Sequence, residues 1–127
     1  FVHSSRINST WGGNLVDMVR CRRFIEIIDA ENLGDNISVM GERLLSGLRS
    51  LAREANVPTN VRGIGALIAF SFPTPERRDE ILQGLFNQKV LALPCGTDSI
   101  RFRLPLVITG EEVDELLSRL EAALSTP

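Results

Sequence analysis

The chain has one lysine, Lys89, one histidine, His3, and two cysteines, Cys21 and Cys95. Each scarcity excludes something. Two cysteines outside any CxxC or Cys/His cluster make neither a disulfide framework nor a structural zinc site. They read as small reduced thiols, and a reducing cytoplasm is the expected compartment. His3 has no second ligand or acid beside it and is assigned no role. No stretch approaches the ~18 to 20 apolar residues that span a bilayer. Phe1 opens without a basic region and Arg6 soon interrupts, so the start does not read as a signal peptide. A formal net charge of −2 gives no bulk field for nucleic acid or an anionic membrane, and neither is expected as a partner. The first residue is not methionine, so a truncated gene product or a processed piece lacking an N-terminal partner segment is expected.

What remains is ordinary for a globular domain: 43% hydrophobic and 24% charged residues over 127 positions. That length fits one domain with a modest core, burying roughly two-thirds of its unfolded surface. Residues 1–11, with Ser4, Ser5, Asn8, Ser9 and Thr10, lack helical period and read as an extended arm or loop. From Leu15, the spacing of Met18, Cys21, Ile25 and Ile28 predicts a helix with one apolar stripe, stopped by Gly34. Asp35 or Asn36 is the expected N-cap of a second helix striped by Ile37, Met40, Leu44, Leu48, Leu51 and Ala55 and ended before Pro58.

The period then changes. The apolar run Ala66–Phe72 predicts a buried strand between Gly65 and Pro73. Thr74-Pro75 starts a helix with Ile81, Leu82, Leu85 and Phe86 on its apolar face. Val90–Leu93 and Ser99–Arg103 read as two strands joined by a turn at 94–98, which makes them an antiparallel hairpin. Thr109 and Glu112 form a capping box ahead of Val113, Leu117, Leu120 and Leu124. The expected fold is α+β: two N-terminal helices, then a small, mostly antiparallel sheet covered by helices on one face.

Two places suit an anion. Thr10-Trp11-Gly12-Gly13 precedes the first helix, where a hydroxyl and free amides favour phosphate; the alternative is that Thr10 only caps that helix and the glycines serve a turn. In the strand 99–103, Ser99, Arg101 and Arg103 share one face, so two arginines can grip a carboxylate bidentately; the alternative is a solvated outer face. The run Arg20, Arg22, Arg23 spreads around a helix without aromatic neighbours and reads as a solvated face. Trp11 reads as a core or interface anchor. A Schiff-base lysine would make the chain a catalyst by itself. Lys89, however, follows Gln88 at a predicted helix end, the setting of an exposed lysine favoured by the macrodipole.

Four segments, in order, carry a family resemblance: Ser9-Thr10-Trp11-Gly12-Gly13-Asn14, Val61-Arg62-Gly63-Ile64-Gly65, Leu91–Pro94 with Gly96, and Ile100-Arg101-Phe102-Arg103-Leu104-Pro105-Leu106. Together they resemble class III, fold-type I, pyridoxal-phosphate-dependent aminotransferases across essentially the whole chain. Arg6–Leu15 followed by Asp17-Met18-Val19-Arg20 is similar to the branch acting on the ε-amino group of lysine. Most relatives acting on ornithine, acetylornithine or 4-aminobutyrate have proline where this chain has Leu15. Leu104-Pro105 stands where the family usually has Pro-Pro, which leaves the pose of Arg101 open.

The resemblance implies that Thr10 binds the phosphate of pyridoxal 5′-phosphate, reaching the neighbouring subunit's site, and that Asn8 lines the same pocket. It implies that Arg101 holds the α-carboxylate of lysine, glutamate or 2-oxoglutarate. Residues 1–14 would be the arm and 15–127 the C-terminal small domain. The N-terminal and large cofactor domains, which carry the Schiff-base lysine, would precede Phe1. The implied reaction moves the lysine ε-amino group to 2-oxoglutarate; no catalytic residue lies in this chain, and the isolated chain is expected to be inactive. Its partners would be amino-acid and 2-oxo-acid substrates and either the missing large domain or a full-length homodimer partner. Two alternatives stay open: an ornithine- or 4-aminobutyrate-type enzyme, and a stand-alone ligand-binding or interaction domain without catalysis. An exposed apolar patch on the first helix would favour a portion of a larger enzyme.

Overall fold

The computed structural model describes residues 13–55 and 57–125. The chain divides into two compact units, Phe1–Asn32 and Leu33–Pro127.

In the first unit, α1 (Leu15–Ala30) begins at Asn14, whose Oδ1 accepts from the Val16 amide at 3.0 Å. The N-cap is therefore Asn14, four residues after Thr10, which removes the alternative in which Thr10 caps this helix. Gly13 turns the chain into the cap with φ +79°. The helix closes at Glu31, and Asn32 takes the left-handed conformation at φ 51°. The expected stop at Gly34 is corrected: Gly34 lies inside the next helix, and asparagine tolerates the left-handed position expected of glycine. The expected stripe of Met18, Cys21, Ile25 and Ile28 does not bury, because no residue of α1 is buried. Leu15, Val19 and Phe24 are 75%, 70% and 58% exposed.

The second unit contains α2 (Leu33–Ala55), β1 (Thr59–Ile64), β2 (Leu67–Ser71), α3 (Pro75–Asn87), β3 (Leu93–Cys95), β4 (Ser99–Arg103) and α4 (Gly110–Leu124). The four strands form one antiparallel sheet in the order β1-β2-β4-β3. This is the expected α+β architecture, with one more strand than the sequence pattern showed. β1 escaped because Asn60, Arg62 and Gly63 are poor strand formers and the segment does not alternate. It is an edge strand whose register shifts between Thr59 and Arg62, with Asn60 at φ 48°. β3 is displaced from the expected Val90–Leu93 to Leu93–Cys95, since an edge strand tolerates Pro94. The hairpin turn shrinks to Gly96–Asp98.

The core lies between one sheet face and the helices. Alternation along β2 and β4 buries Ile68, Phe70, Ile100 and Phe102. The Phe70 ring packs 5.8 Å from Phe72 and 5.4 Å from Phe102, centroid to centroid. From α2 come Ile37, Leu44, Leu45 and Leu48; from α3, Ile81 and Leu85; from α4, Val113 and Leu120. Phe86, expected on the apolar face of α3, is exposed. Thr74 and Thr109 cap α3 and α4 as their sequences predict, the latter with the reciprocal Glu112 contact.

Two features fix how α2 meets the rest. Arg43 donates Nε and Nη2 to the two carboxylate oxygens of Asp114 on α4, at 2.8 and 2.6 Å. Where α2 crosses the β1–β2 turn, Gly41 lies against Gly65 so closely that a Cβ would stand 2.3 Å from the Gly65 carbonyl oxygen. Gly65 itself, at φ +52°, opens the two-residue turn between the paired Ile64 and Leu67.

Asn36 does not cap α2, nor does Asp35; both lie within it. The Asn36 side chain reaches across the fold instead, donating Nδ2 to the carbonyls of Leu106 at 2.8 Å and Ile108 at 3.1 Å.

Candidate functional site

The alternation that buries one sheet face leaves the other to carry polar groups in register. One cross-strand row is Arg62, Ala69, Arg101 and Leu93; the next is Ile64, Leu67 and Arg103; on the other side Ser71 faces Ser99. Arg101 and Arg103 thus share a face, as the spacing predicts, and both are exposed.

The three arginines of this face differ in their commitments. Arg62 donates Nη1 to the Asn60 carbonyl at 2.9 Å and to Ser71 Oγ at 3.4 Å, and Nη2 to Ser99 Oγ at 3.4 Å. The two serines are nearly buried and lie 2.8 Å apart, Oγ to Oγ. The Ser99 hydroxyl donates to Asp98 Oδ1 at 3.1 Å, so its single hydrogen is used and Ser71 is the donor within the pair. Arg62 is held by this network. Among the described residues, Arg101 and Arg103 have no side-chain hydrogen bond and no carboxylate partner.

Both unpaired guanidiniums line an open cleft of about 690 Å³ with Ala66 and Leu67 from the hairpin turn and Leu104, Pro105 and Leu106 from the segment after β4. The cleft is braced twice. The Leu104 amide donates to the Ala66 carbonyl at 2.9 Å, tying its wall to the β1–β2 turn. Asn36 holds the carbonyls of Leu106 and Ile108 from the far side. The result is an apolar wall beside two cations, the chemistry that receives an organic carboxylate.

Lys89 has a different office. It lies in the left-handed region at φ 63°, its amide donating to Phe86 O and the Val90 amide to Leu85 O, both at 2.9 Å. This pair of bonds is a Schellman closure of α3 with lysine at the position usually held by glycine. Arg119 of α4 donates to the exposed carbonyl of Gln88 at 2.8 Å. Lys89 is an exposed helix end, as its sequence setting predicts, and it does not line the arginine cleft.

Thr10 and Asn8, expected to bind a cofactor, and the anchor Trp11 lie outside the described residues. Sequence reading assigned Arg101 and noted Arg103, but missed the bracing of the cleft by Asn36 and the clamp of Arg62 on Ser71 and Ser99. The Asn36 contacts join residues 70 and 72 apart, and the Ser99 contact residues 37 apart, so no local pattern signals them. Among the described residues no helix is long and apolar enough to cross a membrane.

Comparison with known proteins gives a consistent result. The family Aminotransferase class-III matches residues 1–124. The L-lysine-epsilon aminotransferase of Amycolatopsis lactamdurans is 46% identical over 128 residues, covering 99% of this chain and 28% of its own length. A 4-aminobutyrate aminotransferase of Dictyostelium discoideum is 33% identical over 122 residues, covering 95% of this chain and 25% of its own. The solved structure of lysine aminotransferase from M. tuberculosis superimposes with a TM-score of 0.86 at 43% identity, over 94% of this chain and 28% of that one. The chain therefore spans between a quarter and a third of these relatives, and across nearly all of its own length it belongs to the class III aminotransferases.

Proposed function

We propose that the chain is the C-terminal portion of an aminotransferase that moves the ε-amino group of L-lysine to 2-oxoglutarate with pyridoxal 5′-phosphate, and that this portion is inactive alone. The observation that carries the reading is the Arg101 guanidinium, unpaired among the described residues and set in an open cleft on the sheet face turned away from α2, α3 and α4. A fork of N–H donors on a rigid strand suits bidentate capture of a substrate carboxylate. Leu67, Leu104 and Leu106 flank it and would exclude water from the aliphatic part of the substrate. Lysine as donor is supported by the higher identity to the lysine-acting relative than to the 4-aminobutyrate-acting one, and by Leu15 in place of the proline of the latter group.

The cofactor, when bound, supplies the electron sink for amino-group transfer. In this reading Thr10 donates to its phosphate in the neighbouring subunit, and Asn8 lines the same pocket. Residues 1–14 form the arm and 15–127 the small domain. The described residues fit a substrate anchor, not the cofactor's covalent anchor, because the only lysine closes α3 and lies off the cleft. That anchor belongs to a large domain outside these 127 residues, in a homodimer in a reducing cytoplasm. The exposed Leu15, Val16, Val19 and Phe24 on α1 line an apolar hollow of about 460 Å³ that such a domain would cover.

The test mixes the purified chain with pyridoxal phosphate, reduces with borohydride and locates the label by mass. No stoichiometric label on Lys89 is expected, and no glutamate should form from lysine and 2-oxoglutarate. One equivalent fixed specifically on Lys89 would overturn the proposal and make the chain a self-sufficient carrier or catalyst.

A further inference from the structure

We propose that Asp98, acting through Ser99, is a positioning residue that turns Arg62 away from the Arg101 cleft, so that a bound carboxylate is gripped from the β4 side only. The inference rests on Arg101 being a carboxylate anchor and assigns a role to groups which that anchor does not use.

Arg62 and Arg101 belong to one cross-strand row, with Ala69 between them. Two strand spacings put their Cα atoms about 10 Å apart. Ala69 ends at its Cβ, so it does not stop two arginines from converging above it. Arg62 points elsewhere. Its Nη1 donates to the Asn60 carbonyl at 2.9 Å and to Ser71 Oγ at 3.4 Å, and its Nη2 to Ser99 Oγ at 3.4 Å. The guanidinium therefore lies over the next row, Ser71 with Ser99, and does not line the cleft.

That row is set to receive it. Ser99 commits its one hydrogen to Asp98 Oδ1 at 3.1 Å, which turns its lone pairs towards Ser71 and Arg62. A carboxylate behind the hydroxyl makes it an acceptor facing a cation. Asp98 is fixed in its turn, since its carbonyl accepts from the Phe72 amide at 2.9 Å. The two 3.4 Å contacts are long, so the hold on Arg62 is light and depends on this alignment. The consequence is for release. Amino-group transfer needs one carboxylate to leave before the next arrives. A second guanidinium on the same ligand would tighten donor and product alike, which lowers KM without speeding the chemistry.

The test titrates the 127-residue chain with butyrate at low ionic strength, where exposed charges are least screened. Backbone amide shifts give the affinity and report the fold of every variant. Asp98→Asn with Ser99→Ala removes the acceptor and the charge behind it together, so Arg62 cannot fall back on a bare carboxylate. This double variant should bind butyrate about threefold more tightly than wild type, the scale of one exposed charge pair. Adding Arg62→Gln should cancel the gain. A merely structural network would give weaker binding on removal, not tighter. If the double variant loses the native spectrum, the isosteric Asp98→Asn alone should give a smaller gain, again cancelled by Arg62→Gln. Binding no tighter than wild type, with Arg101→Gln weakening butyrate, overturns the tether and leaves the carboxylate anchor standing. A gain that survives Arg62→Gln is a field effect of the lost carboxylate and overturns the tether too. An Arg101→Gln variant that binds butyrate like wild type overturns the anchor, and this inference with it.

Discussion

Replacing Gly41 by alanine should destabilise the protein even though alanine is the better helix former. The added Cβ would lie 2.3 Å from the Gly65 carbonyl oxygen, 2.9 Å from its carbonyl carbon and 3.0 Å from its Cα. All three are backbone atoms, so no side chain can swing aside. The turn cannot easily retreat either, since the Leu104 amide binds its Ala66 carbonyl and Gly65 is already in a conformation few residues adopt. Inserting a group into such a contact costs roughly 1 to 3 kcal/mol. Relief of the glycine penalty in a helix returns about 0.5 to 1 kcal/mol. The net loss should be roughly 0 to 2.5 kcal/mol, centred a little above 1 kcal/mol. Gly34 provides the control in the same helix, because a Cβ there meets nothing within 4 Å. Gly34→Ala should be neutral to stabilising by up to about 1 kcal/mol, less if the first turn frays. Urea unfolding at equal slope measures both as shifts of midpoint. Equal stability of the two variants would refute the close crossing of α2 over the hairpin turn.

Asn36→Ala removes both donors to the wall of the arginine cleft and should cost about 1 to 2 kcal/mol in the same assay. It should also speed hydrogen exchange at the Ile108 amide, which bonds to Pro105 O within the braced segment; unchanged exchange there would show that Asn36 does not hold the wall. Asp114 gives a pH dependence. The hydrogen bond from Arg43 holds its carboxyl below the usual carboxylate range, opposed by slight desolvation and aided by the Arg43 charge. A depressed folded-state value means the stabilisation is complete above the usual range and fades as pH falls through it, from about 5 towards 2. Asp114→Asn should lose that part of the acid sensitivity in unfolding midpoints measured across this window, and identical acid profiles would refute it.

How much of this was legible depended on how local each signal is. The caps at Thr74 and Thr109 rest on atoms three residues apart and could be read directly. The strand at 99–103 and the shared face of Arg101 and Arg103 followed from alternation alone. The boundary at Gly34 failed because Asn32 can adopt the same left-handed backbone, so the glycine was free to enter the helix. β1 failed because its pairing with β2, rather than any strand propensity of Asn60, Arg62 and Gly63, makes it a strand. Asn36 looked like a cap because asparagine usually bonds close by; here its partners come from the far end of the unit. At the site, one guanidinium could be named from sequence, but the difference between a tethered Arg62 and an Arg101 without a partner among the described residues exists only once the strands are in register.

The closure of α3 by Lys89 has a practical side. With one lysine in the sequence, exposed and fixed in backbone by two hydrogen bonds, the protein offers one side-chain amine to an acylating reagent. A fluorophore attached there would sit at a helix end that Arg119 pins to α4. The guanidinium groups on the opposite sheet face would stay unlabelled. Such a label would leave the lining of the cleft chemically unchanged.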